Sequence, residues 1–570
     1  MNKNFLAFNY IRTLTKADII NVLVIVAIWI IMVILVNPIG DFPLNDDWAY
    51  ARSVQSLIEK GDFQLADWTA TNLFSQVFWG ALFCLPFGFS FTALRFSTLT
   101  LGLIGVVTTY GLLREVKSGY KISLLGALLV AINPIYFELS NTFMNDVPFF
   151  AFATVSLYFL LRGLKYESKL EITVGFLMAA VAILARQAGL AIPMAFGCAY
   201  IVKKGINISN IVRGFLPTLG GIAIQFTYQK WLQLTMRSPH SYGDQINTLV
   251  KEVSLGFYNI FINYSKITLF SLIYLGLFIL PLLIVSFSHK FKSLSNRQRT
   301  FFLIAASFFC VVTIQVLISR KLIMPFVGNI LIDFGLGPVG LMNSYLPQAP
   351  RVWIAVTVIG VVGAALLLMY LCLAVGQIFA GDSNAETRDK TWITTLVLAV
   401  VVIYFFPLGL LGLSWQGFYD RYVIALLPFL IVTVLVCTSN NSQNIMNYKL
   451  MPLVLIMMLI GSGFTIPATH DYLSSNRALW QALNNLVQES QIAPERINGG
   501  FEFNGWYLCN HKRRISRDKY INFSCLWGGK NEDYVMAFRP INGYQEIKRY
   551  PFSSWMPFTQ KNVLVLQKTK

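Results

Sequence analysis

Apolar runs near 20 residues long recur along the chain, separated by short polar stretches. As a helix, a run of that length matches the hydrocarbon thickness of a bilayer, because each helical residue rises about 1.5 Å. The first run extends from Ile19 to Val36. It is too long for a secretory h-region and no small-residue cleavage site follows it, so it reads as a retained span. Further spans are expected near 92–113, 122–139, 147–161, 172–185, 188–202, ending at 229, 267–287, ending at 319, 352–379, 392–412, 422–437 and 450–467. Residues 38–91 form the first external segment. It is polar over 41–72 and amphipathic over 73–89, where Phe78, Trp79, Phe83 and Leu85 are set among Ser75 and Gln76. The amphipathic piece is short for a span and rich in aromatic residues, which places it flat at the membrane interface. The rival placement, as a true span, inverts everything after it.

Charge decides between the two. With the interfacial placement, Lys3, Arg12 and Lys16 share one side with Arg114, Lys117, Lys121, Arg162, Lys165, Lys169, Lys203 and Lys204. Lys290, Lys292, Arg297, Arg299, Arg388, Lys390 and Lys449 fall there too. Cytoplasmic loops carry the Lys/Arg excess, so the N-terminus is expected inside, with about thirteen spans and an external C-terminus. The expected fold class is an all-α polytopic membrane protein with a small C-terminal α/β domain. The transmembrane domain covers 1–467, with 38–91 as its first periplasmic loop, and the periplasmic domain covers 468–570. In that tail Leu479, Leu483, Leu486 and Val487 have helical spacing, and residues 562–567 read as a strand.

Composition agrees: 55% of the 570 residues are hydrophobic and 13% charged, too apolar for a soluble protein of this size. The net charge of +18 follows from the inward bias of Lys and Arg. These residues are scattered in short loops and form no basic face, which argues against a nucleic-acid partner. Cys84, Cys198, Cys310, Cys372 and Cys437 lie in apolar runs as small core residues. Cys509 and Cys525 share the polar tail, where pairing requires an oxidising compartment. His240, His289, His470 and His511 are far apart and no C-x-x-C pair occurs, so no metal site is expected.

The strong charges gather at the outer ends of the runs. Asn45-Asp46-Asp47-Trp48-Ala49-Tyr50 follows the first run, Asn145-Asp146 precedes Val147, Arg186-Gln187 follows Ala185, and Asp420-Arg421-Tyr422 follows Trp415. If these ends share one face, they converge on one site. A carboxylate there can deprotonate a hydroxyl or amine while its neighbour orients the acceptor. Adjacent helical residues do not face the same way, so two different roles are expected rather than a retaining pair. The plainer readings are an N-cap for Asp46 or Asp146, a snorkelling interfacial Arg186, and an Arg421–Asp420 ion pair.

In this order the pieces resemble the GT-C membrane glycosyltransferases, and more narrowly the protein O-mannosyltransferase and lipid A aminoarabinose transferase group. The resemblance covers residues 1–440. It rests on Asp46-Asp47-Trp48-Ala49-Tyr50-Ala51 with Gly61-Asp62, on the amphipathic stretch 73–89, and on Asn145-Asp146-Val147-Pro148-Phe149. It rests equally on Ala185-Arg186-Gln187-Ala188-Gly189-Leu190 and on Asp420-Arg421-Tyr422 with Leu426-Leu427-Pro428. The resemblance implies inversion at the anomeric carbon, a polyprenyl-phosphate sugar donor and no required cofactor. The acceptor is expected to be a lipid, a glycan or a protein at the external face, and a bacterial inner membrane is expected because no eukaryotic targeting signal appears. By position Asp46 corresponds to the catalytic base, Asp47 with Tyr50 to the acceptor site, and Asp146 and Asp420 to supporting acids. Arg186 and Arg421 correspond to cations beside the lipid phosphate, a role the guanidinium fork suits. Relatives carry a Glu-Lys-Pro-like patch before the interfacial helix. This chain has Thr69-Ala70-Thr71-Asn72 there, so Arg320, Lys321 or Arg351 is expected to supply the missing cation.

The Gly/Pro-rich loop 321–350 is expected to be a lid or a plain connection, and residues 499–506 to be a carbohydrate-facing loop or core aromatics. A transporter or flippase for lipid-linked sugars would need polar residues at mid-membrane and broken helices. An O-antigen ligase or polymerase would carry its catalytic residues in one large late external loop. A non-catalytic scaffold for the tail is the remaining alternative. Acids in the first loop favour the transferase.

Overall fold

The computed structural model describes residues 15–239, 241–242, 250, 254, 256–333, 335–338, 340–341, 350–380, 385–411, 418–438, 448–509, 523–528, 532–557 and 561–569. Lys3, Arg12, His240, Trp415 and His511 lie outside these.

The chain is a multi-pass helical membrane protein. Among the described residues nine helices are long and apolar enough to cross a membrane, and a bent pair makes a tenth candidate. α1 (Lys16–Val36) starts at a capping box between Thr15 and Asp18 and stops at Asn37, which takes a left-handed φ of 52°. α2 (Asp47–Lys60) and α3 (Phe74–Cys84) lie in the stretch between the first two spans. α3 is only about 16 Å long, half of a bilayer core. α4 (Phe91–Glu115), α5 (Tyr120–Ala131), α6 (Pro134–Ser140), α7 (Asp146–Tyr166), α8 (Lys169–Ala185), α9 (Ala191–Lys204) and α10 (Ile208–Leu234) follow. Later helices run over Phe257–Phe278, Leu280–Ser293, Asn296–Ser319, Pro350–Phe379, Ala385–Leu411, Leu427–Thr438 and Met451–Asn484. A helical segment lies beneath every span expected from the apolar runs.

The third expected span is bent by 62° between α5 and α6. Pro134 has no N–H to continue the first helix, and the Asn133 side chain accepts from the Tyr136 N–H to begin the second. The outer helices turn apolar residues outward: on Asn296–Ser319, Phe301, Leu303, Ile304 and Phe308 are exposed, as contact with lipid requires. At the basic-loop end, Glu115 accepts from Arg162 at 2.7 Å and Lys165 at 3.0 Å, and Asp18 accepts from Arg114 at 2.6 Å. These pairs join α1, α4 and α7 and offset the cost of burying their charges.

The helix Met451–Asn484 passes without a break through the domain boundary expected at 468. At about 51 Å it is far longer than a bilayer core, and its distal part leads into the C-terminal domain. That domain holds β3 (Ile497–Asn498), β4 (Tyr534–Ala537), β5 (Tyr544–Pro551) and β6 (Asn562–Lys568), in sheet order β3-β4-β6-β5. β3 pairs with β4 in parallel, while β6 pairs antiparallel with β4 and β5. Val563 to Leu566 are buried, as a strand flanked on both edges requires. Cys509 and Cys525 form a disulfide with their Cα atoms 5.5 Å apart.

Candidate active site

α2 is fixed at its first turn. Asn45 takes the left-handed φ of 57° that Asn tolerates, and its N–H donates to Glu502 of the C-terminal domain at 3.1 Å. The Asp46 side chain makes no capping bond to α2. Instead Oδ1 accepts from Trp68 Nε1 at 2.8 Å and Oδ2 accepts from Arg421 Nη2 at 3.1 Å. Asp146 does not cap α7 either; Asn145 holds the cap position, and Asp146 Oδ1 accepts from Arg186 Nη1 at 2.7 Å. Arg421 Nε lies 3.9 Å from Asp146 Oδ2, too far for a hydrogen bond. Asp46, Asp146, Arg186 and Arg421 therefore form one chain of charges, with side chains 14%, 2%, 13% and 8% exposed. The capping, snorkelling and Asp420-pairing alternatives do not describe these four side chains.

Among the described residues, three donors and acceptors of this network have no hydrogen-bond partner: Arg421 Nε, Arg421 Nη1 and Asp146 Oδ2. Aromatic rings wall it. Tyr419 stands 4.9 Å from the Arg421 guanidinium and Tyr422 4.7 Å from that of Arg186. Tyr50, one helical turn beyond Asp46, is buried within the field of Asp46, Arg421 and Asp146, and burial raises its phenol well above the usual range.

Asp47 is a correction to the acceptor-binding role. It is 1% exposed, and its oxygens accept from the backbone N–H groups of Leu44 at 2.6 Å and Phe143 at 3.0 Å. It braces the first loop against the turn that carries Asp146. Asp420 also turns away from Arg421. Its carboxylate accepts from Ile330 N and Leu331 N, the latter at 2.8 Å, and so anchors β1 (Leu331–Ile332), which pairs with β2 (Gly335–Leu336). Part of the loop expected as a lid is thus tethered to the segment that supplies Arg421. Arg320, Lys321 and Arg351 are exposed, and no described ion pair or hydrogen bond joins them to the cluster. Among the described residues the structure does not bring them to Asp46, Asp146, Arg186 and Arg421.

The Thr69–Asn72 stretch has a different use here. Thr71 Oγ1 donates to Ala185 O at 3.1 Å and accepts from Asn145 Nδ2 at 2.9 Å. Asn72 Nδ2 donates to Ile183 O at 2.6 Å, and Leu73 N donates to Ala185 O at 3.1 Å. These bonds hold the end of α8 where Arg186 begins. Two residues escaped the sequence reading. Trp68 gave no signal beyond being an aromatic residue in a polar loop. Glu138, on α6, is fully buried, with neither oxygen hydrogen-bonded among the described residues. An acid inside an apolar run was its signal.

Burial pushes Asp47 up to about 7 from 3.8, although the N–H groups of Phe143 and Leu44 and the Arg95 guanidinium pull the other way. Burial likewise pushes Glu502 up to about 7 from 4.5. Both groups hold protons more tightly folded than unfolded. Their contribution to stability is complete below about pH 4 and is lost as pH rises through about 7. The detergent-solubilised protein should therefore melt at a higher temperature near pH 5 than near pH 8, and Asp47→Asn should flatten that difference. A wild-type profile that rises with pH over this window contradicts the assignment.

A helical membrane protein with a buried Asp–Arg network where several helix ends converge is the class that the fold and the site define. Residues 76–228 match the family described as dolichyl-phosphate-mannose-protein mannosyltransferase, and over this stretch the resemblance to the GT-C group holds. The matched stretch contains Asp146 and Arg186. No curated protein matches the chain. Among solved structures, the protein O-mannosyltransferase Pmt1-Pmt2 complex of S. cerevisiae, bound to the sugar donor, aligns at 15% identity. That alignment covers 39% of this chain and 34% of the other, with a TM-score of 0.32. ArnT from Cupriavidus metallidurans bound to undecaprenyl phosphate aligns at 13% identity over 96% of this chain and 97% of its own, with a TM-score of 0.40. Its apo state gives the same identity and TM-score over 97% and 98%.

Proposed function

We propose that this chain is an inverting glycosyltransferase that takes a sugar from a polyprenyl-phosphate donor at the periplasmic face of a bacterial inner membrane. The observation that carries the reading is the convergence of Asp46, Asp146, Arg186 and Arg421, from four separate stretches, with two Arg421 nitrogens left for an anion. An acceptor O–H or N–H attacks the anomeric carbon from the side opposite the phosphate. The bond from that carbon to the phosphate oxygen breaks, and the lipid phosphate departs with the electron pair. Asp46 receives the acceptor's proton. Arg421 Nε and Nη1 stabilise charge on the departing phosphate, and Asp146 holds Arg186 beside it. The acceptor is a lipid, a glycan or a protein; Tyr50 lies on the side of α2 that would meet it.

A flippase is the second reading, favoured by the break between α5 and α6 and by the buried Glu138. One measurement separates the two. Cells lacking this chain should accumulate lipid-linked sugars in the outer leaflet of the inner membrane, where a labelling reagent that cannot cross the membrane reaches them. Accumulation in the inner leaflet identifies a flippase, and an unchanged lipid-linked pool overturns both.

A further inference from the structure

Trp68 lies outside every motif behind the functional reading, yet its indole N–H meets Asp46 Oδ1 at 2.8 Å while Arg421 holds Oδ2. A carboxylate gripped at both oxygens by donors from different elements has its side-chain torsions fixed. The indole is itself held by aromatic packing. Its ring lies 6.5 Å from that of Trp48, which is fully buried on α2, and 6.0 Å edge-on from that of Phe501. Phe501 also meets Trp48 at 6.3 Å and opens the short helix Phe501–Tyr507 of the C-terminal domain.

That helix is clamped in place. Phe501 N donates to Gly340 O at 3.2 Å, and Asn504 Nδ2 donates to Leu526 O at 3.2 Å. The Phe501 ring meets Trp527 at 6.0 Å. The Cys509–Cys525 disulfide joins the residues just past the helix to the turn Phe523–Trp527. The helix is pressed so close to α2 that a Cβ on Gly505 would stand 2.5 Å from the Trp48 ring. Arg52 of α2 in turn lies 3.9 Å over the Trp506 ring. Packed side chains thus connect the C-terminal domain to Asp46.

We propose that Trp68 is a positioning residue for the Asp46 carboxylate, and that the C-terminal domain holds it in place through Phe501. The inference rests on the reading of Asp46 as the base. The indole bond fixes the orientation in which Asp46 meets the acceptor proton.

The test uses full-length protein in proteoliposomes supplied with the cell's extracted lipid-linked sugars and envelope acceptors. Trp68→Phe should lower kcat about tenfold. It should leave binding of undecaprenyl phosphate within about twofold, since the anion-facing nitrogens of Arg421 are untouched. The acceptor KM should stay within about twofold, so that the loss falls on kcat, a split that a general loss of folded protein would not produce. Phe501→Leu keeps apolar volume but releases the ring contact, and should lower kcat the same way by less. It decides the matter if Trp68→Phe does not fold. A kcat near wild type in the variants that fold overturns the inference. Asp46→Asn is run alongside. If it remains active the base assignment itself fails; if it is dead and the Trp68 and Phe501 variants behave as wild type, only the positioning role fails.

Discussion

Asp46→Asn should abolish the proposed sugar transfer while the protein still inserts, folds and binds the proposed polyprenyl-phosphate donor. A general base fails once it cannot accept a proton, and Asn removes that ability with almost no change in size. General-base contributions are typically 10²–10⁴-fold, so the loss should reach at least about two orders of magnitude. The environment of Asp46 makes the substitution clean. Its side chain caps nothing on α2, so no helix start is lost. The amide oxygen can still accept from Trp68 Nε1 or Arg421 Nη2, the two donors that Asp46 now meets. Transfer rates in proteoliposomes, with melting temperature as the control for folding, check this. Wild-type turnover in the variant would remove Asp46 from the mechanism.

Arg421→Ala should be the second most damaging change, and in a different way. Arg421 is buried, and its loss leaves Asp46 and Asp146 facing each other with less compensation. Removing one partner of a buried pair costs about 3–5 kcal/mol, and less is expected here because Arg186 still neutralises Asp146. The catalytic effect should exceed the structural one. A donor aimed at developing negative charge is worth roughly 10²–10³-fold in rate, and the loss should fall on the lipid-linked donor rather than the acceptor. Arg421→Lys should recover part of the activity, since it restores charge but not the planar fork. Kinetics with donor and acceptor varied separately decide the point. An Arg421→Ala enzyme with unchanged donor dependence would return this guanidinium to a purely structural role.

The site was partly legible. Runs ending in Asn45-Asp46-Asp47, Asn145-Asp146, Ala185-Arg186 and Asp420-Arg421 announced themselves because a charge at the end of an apolar run is costly unless paired or used. Their roles were less legible. Asp46 and Asp47 look alike in sequence, yet one meets Arg421 and Trp68 while the other is buried on backbone N–H groups. The Thr69–Asn72 stretch looked like a missing cation and is a hydrogen-bonded clasp on the end of α8.

The sequence by itself determined the helical segments and their order, because lipid offers the backbone no hydrogen bonds and so demands continuous apolar helices of nearly fixed length. It also determined which helix ends carry charge. Only the tertiary structure decided which charge meets which. Arg421 bypasses its neighbour Asp420 and reaches Asp46, 375 residues away, because Asp420 and Arg421 lie in a 3-10 segment where successive side chains diverge by about 120°. Asp420 is thereby turned to the β1 backbone and Arg421 to the site. The Trp68 contact has the same origin. A residue in a polar loop with no periodic signature meets Asp46 through the folded path of that loop, with Phe501 of the C-terminal domain packed on its ring, and local sequence encodes neither contact.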